Sequence, residues 1–161
     1  MWFRFRPVEL EFLESAPRRH VAEARVDLPR DVVWRAFTDA STWNEWWPGV
    51  RSAGYGSEPP FGVGTIREAD VGGFRMEETV LAWDEGRRFA YRIDRSNAPI
   101  AKAQLEATEL EDDGTGTRVR WTLALEPRLL MKLARPWFQG SVERMLERAL
   151  RNLERREAGR A

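Results

Sequence analysis

The residues best placed to do chemistry are one arginine and one glutamate, Arg67 and Glu78. Each sits in a strand-like run, Gly64 to Asp70 and Phe74 to Trp83, and the two runs meet at Gly72-Gly73. Side chains alternate between the two faces of a strand. If Val80 faces a core, Met76 and Glu78 face it too. The opposite parity would put Arg75, Glu77, Thr79, Leu81 and Trp83 inside, and the sequence alone leaves both arrangements open. A carboxylate enclosed among apolar groups has its pKa raised unless a charge partner holds it down. Arg67, on the neighbouring strand, is the expected partner. Such a pair can be a structural ion pair, a grip on the polar end of a ligand, or an acid/base with a cation beside it.

Other chemistries are excluded by what is missing. The chain has no cysteine, so disulfides, thiol nucleophiles and thiolate metal sites are absent together. Its one histidine, His20, would have to serve any Ser-His-Asp site, and it precedes the first strand, where an ordinary surface residue is expected. Asp112-Asp113-Gly114 shares residue types with a calcium loop but not its ligand spacing, and reads as a hairpin turn. Gly62-Val63-Gly64 lacks the third glycine and the following helix of a nucleotide loop. No cofactor and no metal are expected. Charges balance at 26 basic and 26 acidic residues, without the basic excess that nucleic-acid binding needs. No apolar run reaches the ~18 residues of a membrane span, and the start does not resemble a signal peptide. A cytoplasmic protein with no integral membrane segment is the expectation, with monomer and homodimer both open.

The elements that must position Arg67 and Glu78 follow from periodicity. The 161 residues suit one domain. Residues 1–19 carry Trp2, Phe3, Phe5, Val8, Leu10, Phe12 and Leu13 and are too apolar for a free tail, so an extension packed on the outside of the domain is predicted. His20 to Leu28 reads as the first strand, stopped by Pro29. Asp31 opens a helix near Val32, and a second short helix covers Ala40 to Trp47 before Pro48-Gly49. Six strands follow: Val50 to Tyr55, Gly64 to Asp70, Phe74 to Trp83, Arg88 to Asp94, Ile100 to Leu110, and Arg118 to Leu125. The breaks between them hold Gly, Pro, Asn or Asp and are short, which predicts an antiparallel meander. Ala101, Ala103, Leu105 and Ala107 share one face of the fifth of these strands. Either a bulky neighbour packs over those alanines or a space is left there. Last comes a short segment, Arg128 to Ala134, a break, and a long helix from about Pro136 to Arg156. Phe138, Val142, Met145, Leu146, Ala149 and Leu153 form one stripe along it, and a sheet is the simplest partner for that stripe.

This order resembles the START-like or Bet v 1-like helix-grip fold, and in particular the bacterial polyketide cyclase/dehydrase and lipid-transport superfamily (SRPBCC). Leu28-Pro29-Arg30-Asp31-Val32-Val33-Trp34 looks like the family's first turn and helix. Trp43-Asn44-Glu45-Trp46-Trp47-Pro48-Gly49-Val50 is similar to its Trp-x-x-Trp-aromatic-Pro-Gly segment, with Asn44 where proline is usual. Gly62 to Arg67 and Glu78 to Asp84 match the next strands, and the likeness covers about residues 20–157. It implies an α+β fold of β-α-α-β6-α order, with a curved antiparallel sheet wrapped on the C-terminal helix around a cavity. It also implies that an acid at the place of Glu78 faces that cavity. The residues expected to line it are Trp47, Phe61, Arg67, Phe74, Met76, Glu78, Tyr91, Ala103, Trp121, Phe138 and Met145, and for the aromatic ones plain core is the alternative. Since this fold hosts many functions, three readings follow. The first is binding or transport of a small, largely hydrophobic ligand such as a lipid, polyketide or aromatic. The second is a cyclase or dehydratase using Glu78 and Arg67. The third is an interaction or stress-related domain without a ligand. One histidine, no cysteine and no nucleophile beside a base lean away from the enzyme.

Overall fold

The computed structural model describes residues 1–129 and 135–160, the side chains of 135–139 excepted. In chain order the elements are β1 (Phe3–Arg4), α1 (Phe12–Ser15), β2 (Arg18–Val26), α2 (Arg30–Thr38), α3 (Trp43–Trp46), β3 (Val50–Tyr55), β4 (Ile66–Val71), β5 (Phe74–Asp84), β6 (Arg88–Ser96), β7 (Ala101–Asp113), β8 (Gly116–Pro127) and α4 (Arg135–Ala158). The strands form one antiparallel sheet in the order β2-β8-β7-β6-β5-β4-β3, with β1 added to β6. This is the α+β arrangement expected: a curved antiparallel meander against a long C-terminal helix. The predicted segment at 128–134 falls mostly on residues outside the described ones, as does the side chain of Phe138. Pro136 is the second residue of α4 (Arg135–Ala158).

The stripe on α4 is what closes the inner face. Val142, Leu146, Ala149, Leu150 and Leu153 are buried, and they share one core with Val26, Phe37, Trp46, Val80, Phe89, Ile93 and Val119. The far end of the helix is fixed by polar links. Glu154 accepts the backbone N–H of Asp27 at 2.7 Å, and Asn152 donates to the Trp46 carbonyl at 3.0 Å. The opposite face stays wet, with Glu147 and Arg151 paired one turn apart at 3.6 Å.

The outer face settles the alanine question against a space. Ala103, Leu105 and Ala124 are buried beneath Val8 and Phe12, and Ala82, Ala90 and Ala107 beneath Leu10 and Leu13. The N-terminal segment is therefore the bulky neighbour, and Ala103 does not line a cavity. Small side chains on β5, β6, β7 and β8 let α1 and its flanks lie close to the sheet. The segment is anchored by Phe5 N–H to the Asp94 carbonyl at 2.9 Å and Arg6 N–H to the Lys102 carbonyl at 2.6 Å. Ala103→Trp should accordingly push this segment off the sheet rather than fill an internal space. The expected result is a loss of about 1–3 kcal/mol in denaturant unfolding, with faster proteolysis within residues 1–16 and no change in ligand uptake.

From Ala103 onward β7 thus turns its small side chains outward, whereas Ala101, across a register shift, packs in the inner core. With Ala103, Leu105 and Ala107 outward, Gln104 and Glu106 point to the inner side, although both are polar.

Candidate functional site

The β4–β5 hairpin sets the central contact. Gly72 and Gly73 both have positive φ, 62° and 94°, which a two-residue turn of this hand demands and other residues resist. That turn pairs Val71 with Phe74 and so brings Arg67 directly opposite Glu78. Arg67 Nε donates to Glu78 Oε2 at 2.6 Å, and both side chains are buried, at 0% and 3% exposure. Met76, Glu78 and Val80 face inward, while Glu77 faces out and pairs with Arg95. The register against β6 shifts between Val80 and Ala82, so that Ala82 lies under the N-terminal segment and Trp83 turns back to the inner core.

Arg67 is held behind the cavity, not in it. Its guanidinium carbon lies 4.1 Å from the ring centres of both Trp43 and Tyr91, and 5.4 Å from that of Phe89. Its two terminal nitrogens are buried with no hydrogen-bond partner, so the ring faces and Glu78 are what stabilise the charge. Burial acts against that charge, but Glu78 and the neighbouring tyrosine hydroxyls outweigh it and push its pKa above the ordinary arginine value. Burial has the upper hand at Glu78. It raises the carboxyl to about 7 from an ordinary 4.5, against the pull of Arg67 and with a push from Glu106 and Asp94. Burial likewise pushes Tyr91 well above its usual value and Tyr55 up to about 12.

A carboxyl whose pKa is raised on folding binds its proton more tightly in the folded state. As pH falls from about 7 toward 4.5, the folded protein takes up this proton before the unfolded chain does. Glu78 therefore adds stability at the acid end of that window, and the contribution is lost as pH rises through about 7. Unfolding free energies measured across this window should show that slope, and Glu78→Gln should remove it. A slope that survives the substitution would assign it to other groups.

In front of the pair lies a cavity of about 250 Å³ between the sheet and α4. Of the residues expected to line it, Trp47, Phe74, Met76, Glu78, Tyr91, Trp121 and Met145 do so. Phe61 does not line it, because its ring stacks on Tyr55 at 4.2 Å. Arg67 does not line it but lies behind Glu78, Trp43 and Tyr91, which do. Val50, Ala69, Val71, Ile100, Leu123 and Val142 add to the apolar wall, and Trp43 stacks on Trp47 at 5.6 Å. Trp47 meets Trp121 edge to face at 5.1 Å.

The sequence reading missed Glu106 altogether. Its carboxylate accepts from Tyr91 Oη at 2.7 Å, Gln104 Nε2 at 2.8 Å and Trp121 Nε1 at 3.2 Å. Alternation from the alanines was the available signal. His20 shares the inward face of β2 with Ala22 and Val26, half-buried rather than at the surface, and burial lowers its pKa. A wider depression, about 660 Å³, lies on the outer face between Arg30, Arg87, Arg118 and Arg120. It is open and charged, and Arg30, Arg118 and Arg120 are paired with Asp112, Asp113 and Glu23, so it offers no apolar enclosure. Among the described residues no three His, Asp or Glu side chains are grouped as metal ligands, and no helix is long and apolar enough to cross a membrane.

Comparison with known proteins agrees with this architecture. An uncharacterised protein of Mycobacterium tuberculosis is 28% identical over 152 residues, spanning 92% of this chain and 89% of that protein. Major latex-like protein 151 of Panax ginseng superposes with a TM-score of 0.70 at 15% identity, over 86% of this chain and 96% of that one. A START superfamily protein of Mycobacterium smegmatis does so with a TM-score of 0.68 at 15% identity, over 89% and 99%. Identities this low carry the fold alone. A family model covers most of the chain, residues 18–156, and by that match the protein belongs to the polyketide cyclase / dehydrase and lipid transport family.

Proposed function

We propose that this protein binds or carries a small, largely hydrophobic molecule in the cavity between its sheet and α4, as a cytoplasmic protein. The observation that carries this reading is the wall itself. It is built from Trp, Met, Val, Leu and Ile side chains, with only a few polar groups converging on it. That balance is typical of small-molecule sites, which run to about 300–1,000 Å³. At about 250 Å³ the cavity suits a single aromatic or a short aliphatic body rather than a two-chain lipid.

A second reading keeps the cyclase or dehydratase chemistry in view. One observation favours it: Glu78 faces the cavity with its carboxyl raised to about 7, the range in which a general acid or base works best. Arg67 would not be a catalytic residue in that case. Its guanidinium is fully buried behind Trp43 and Tyr91, so it could only hold Glu78 in place.

The test is uptake of a neutral apolar fluorophore, N-phenyl-1-naphthylamine. Binding should enhance its emission and quench that of Trp47 and Trp121. Ala69 is buried on the cavity wall, so Ala69→Phe should fill the space and abolish uptake. Undiminished uptake by that variant would move the ligand elsewhere.

A further inference from the structure

Glu106 gives the cavity a chemical preference. We propose that the ligand presents a hydrogen-bond donor to Glu106, and that a protonated amine on an apolar body is the class this site takes best. The inference rests on the cavity being the ligand site.

Three neutral donors surround the Glu106 carboxylate: the Tyr91 hydroxyl, the Trp121 indole N–H and the Gln104 amide. They fix its position on β7 without cancelling its charge. Among the described residues no arginine or lysine pairs with it, and none lines the cavity. The nearest buried cation, Arg67, is already matched by Glu78 at 2.6 Å. Among the described residues the lining thus holds two carboxylates, Glu78 and Glu106, against one cation set behind it. An ionised carboxylate has about four acceptor positions, and three donors leave one for a ligand. The walls agree with this polarity. Trp43 and Tyr91 already accept a guanidinium at 4.1 Å from each ring centre, and Trp47 and Trp121 extend the same aromatic surface. An anionic end such as a fatty-acid carboxylate would meet Glu106 as a like charge in a partly desolvated place, which is the costly arrangement.

The experiment compares three probes of one shape by calorimetry at a pH of about 8: 1-naphthylmethylamine, 1-naphthalenemethanol and 1-naphthoic acid. The expected order is amine, then alcohol, then acid, with about tenfold or more in dissociation constant between the first and last. Glu106→Gln should erase the advantage of the amine over the alcohol while the alcohol still binds. An acid that binds the wild-type protein as tightly as the amine overturns the proposal and leaves the cavity reading standing. So does a Glu106→Gln variant that keeps the amine preference. If that variant does not fold, the wild-type ranking alone decides. If none of the three probes binds while N-phenyl-1-naphthylamine does, the donor preference fails. If nothing binds, both readings fail together.

Discussion

Arg67→Met should lower the unfolding free energy by about 3–5 kcal/mol, because it leaves Glu78 buried without its cation. The loss should be greatest above neutral pH. There the Glu78 carboxyl must either stay charged inside an apolar wall or remain protonated against the solution. Adding Glu78→Leu to the same chain should recover most of the loss. Replacing a buried pair by apolar groups of similar volume is often neutral or better, whereas breaking it is not. Denaturant titrations of both single variants and the double variant at two pH values would measure this coupling. Additive losses would mean that the 2.6 Å contact contributes no pairwise stability.

Leu146→Asp should leave no folded protein at room temperature. Leu146 is fully buried at the centre of the α4 stripe, and no basic side chain is placed to meet a new carboxylate there among the described residues. An unpaired buried charge costs several kcal/mol, against a typical total of about 5–15. Met145 is the instructive neighbour. It lies on the same stripe but is half-buried at the cavity, so Met145→Asp should be tolerated better. Circular dichroism and soluble yield for the two variants would separate the core side of α4 from its cavity side. Equal behaviour would count against the division.

Particular residues explain what could be read in advance. The parity of β5 was open, and Val80 decides it by being fully buried, which carries Met76 and Glu78 inward with it. The Gly72-Gly73 pair was legible as a turn, and such a turn fixes which residues stand opposite one another. The alanines on β7 were not decidable locally. A row of small side chains looks the same under a void as under a bulky partner; the partner of Ala103 and Ala107 comes from the other end of the chain, while Ala101 faces the inner core. Polarity alone would place Gln104, Glu106 and Thr108 on an outer, wet face. They are buried or half-buried on the inner face instead. Local rules fail most often where a site keeps a polar group for use, and Glu106 is the case at hand. Phe61 was misplaced for a simpler reason: it lies in the loop between β3 and β4, where no period fixes direction.

The N-terminal segment has a consequence for how the chain folds. Residues 1–16 are made before the strands they cover, yet Phe5 waits for Asp94, Arg6 for Lys102 and Glu126, and Phe12 for Ala124. Every one of these contacts spans most of the sequence. Closing such long loops gains nothing until β6, β7 and β8 are paired, so they add to contact order and belong late in folding. In the interval the sheet's alanine face and the segment's Val8 and Phe12 are both uncovered. A chain arrested at that stage has two matching apolar surfaces, and exchange of this segment between two copies is the misassembly open to it.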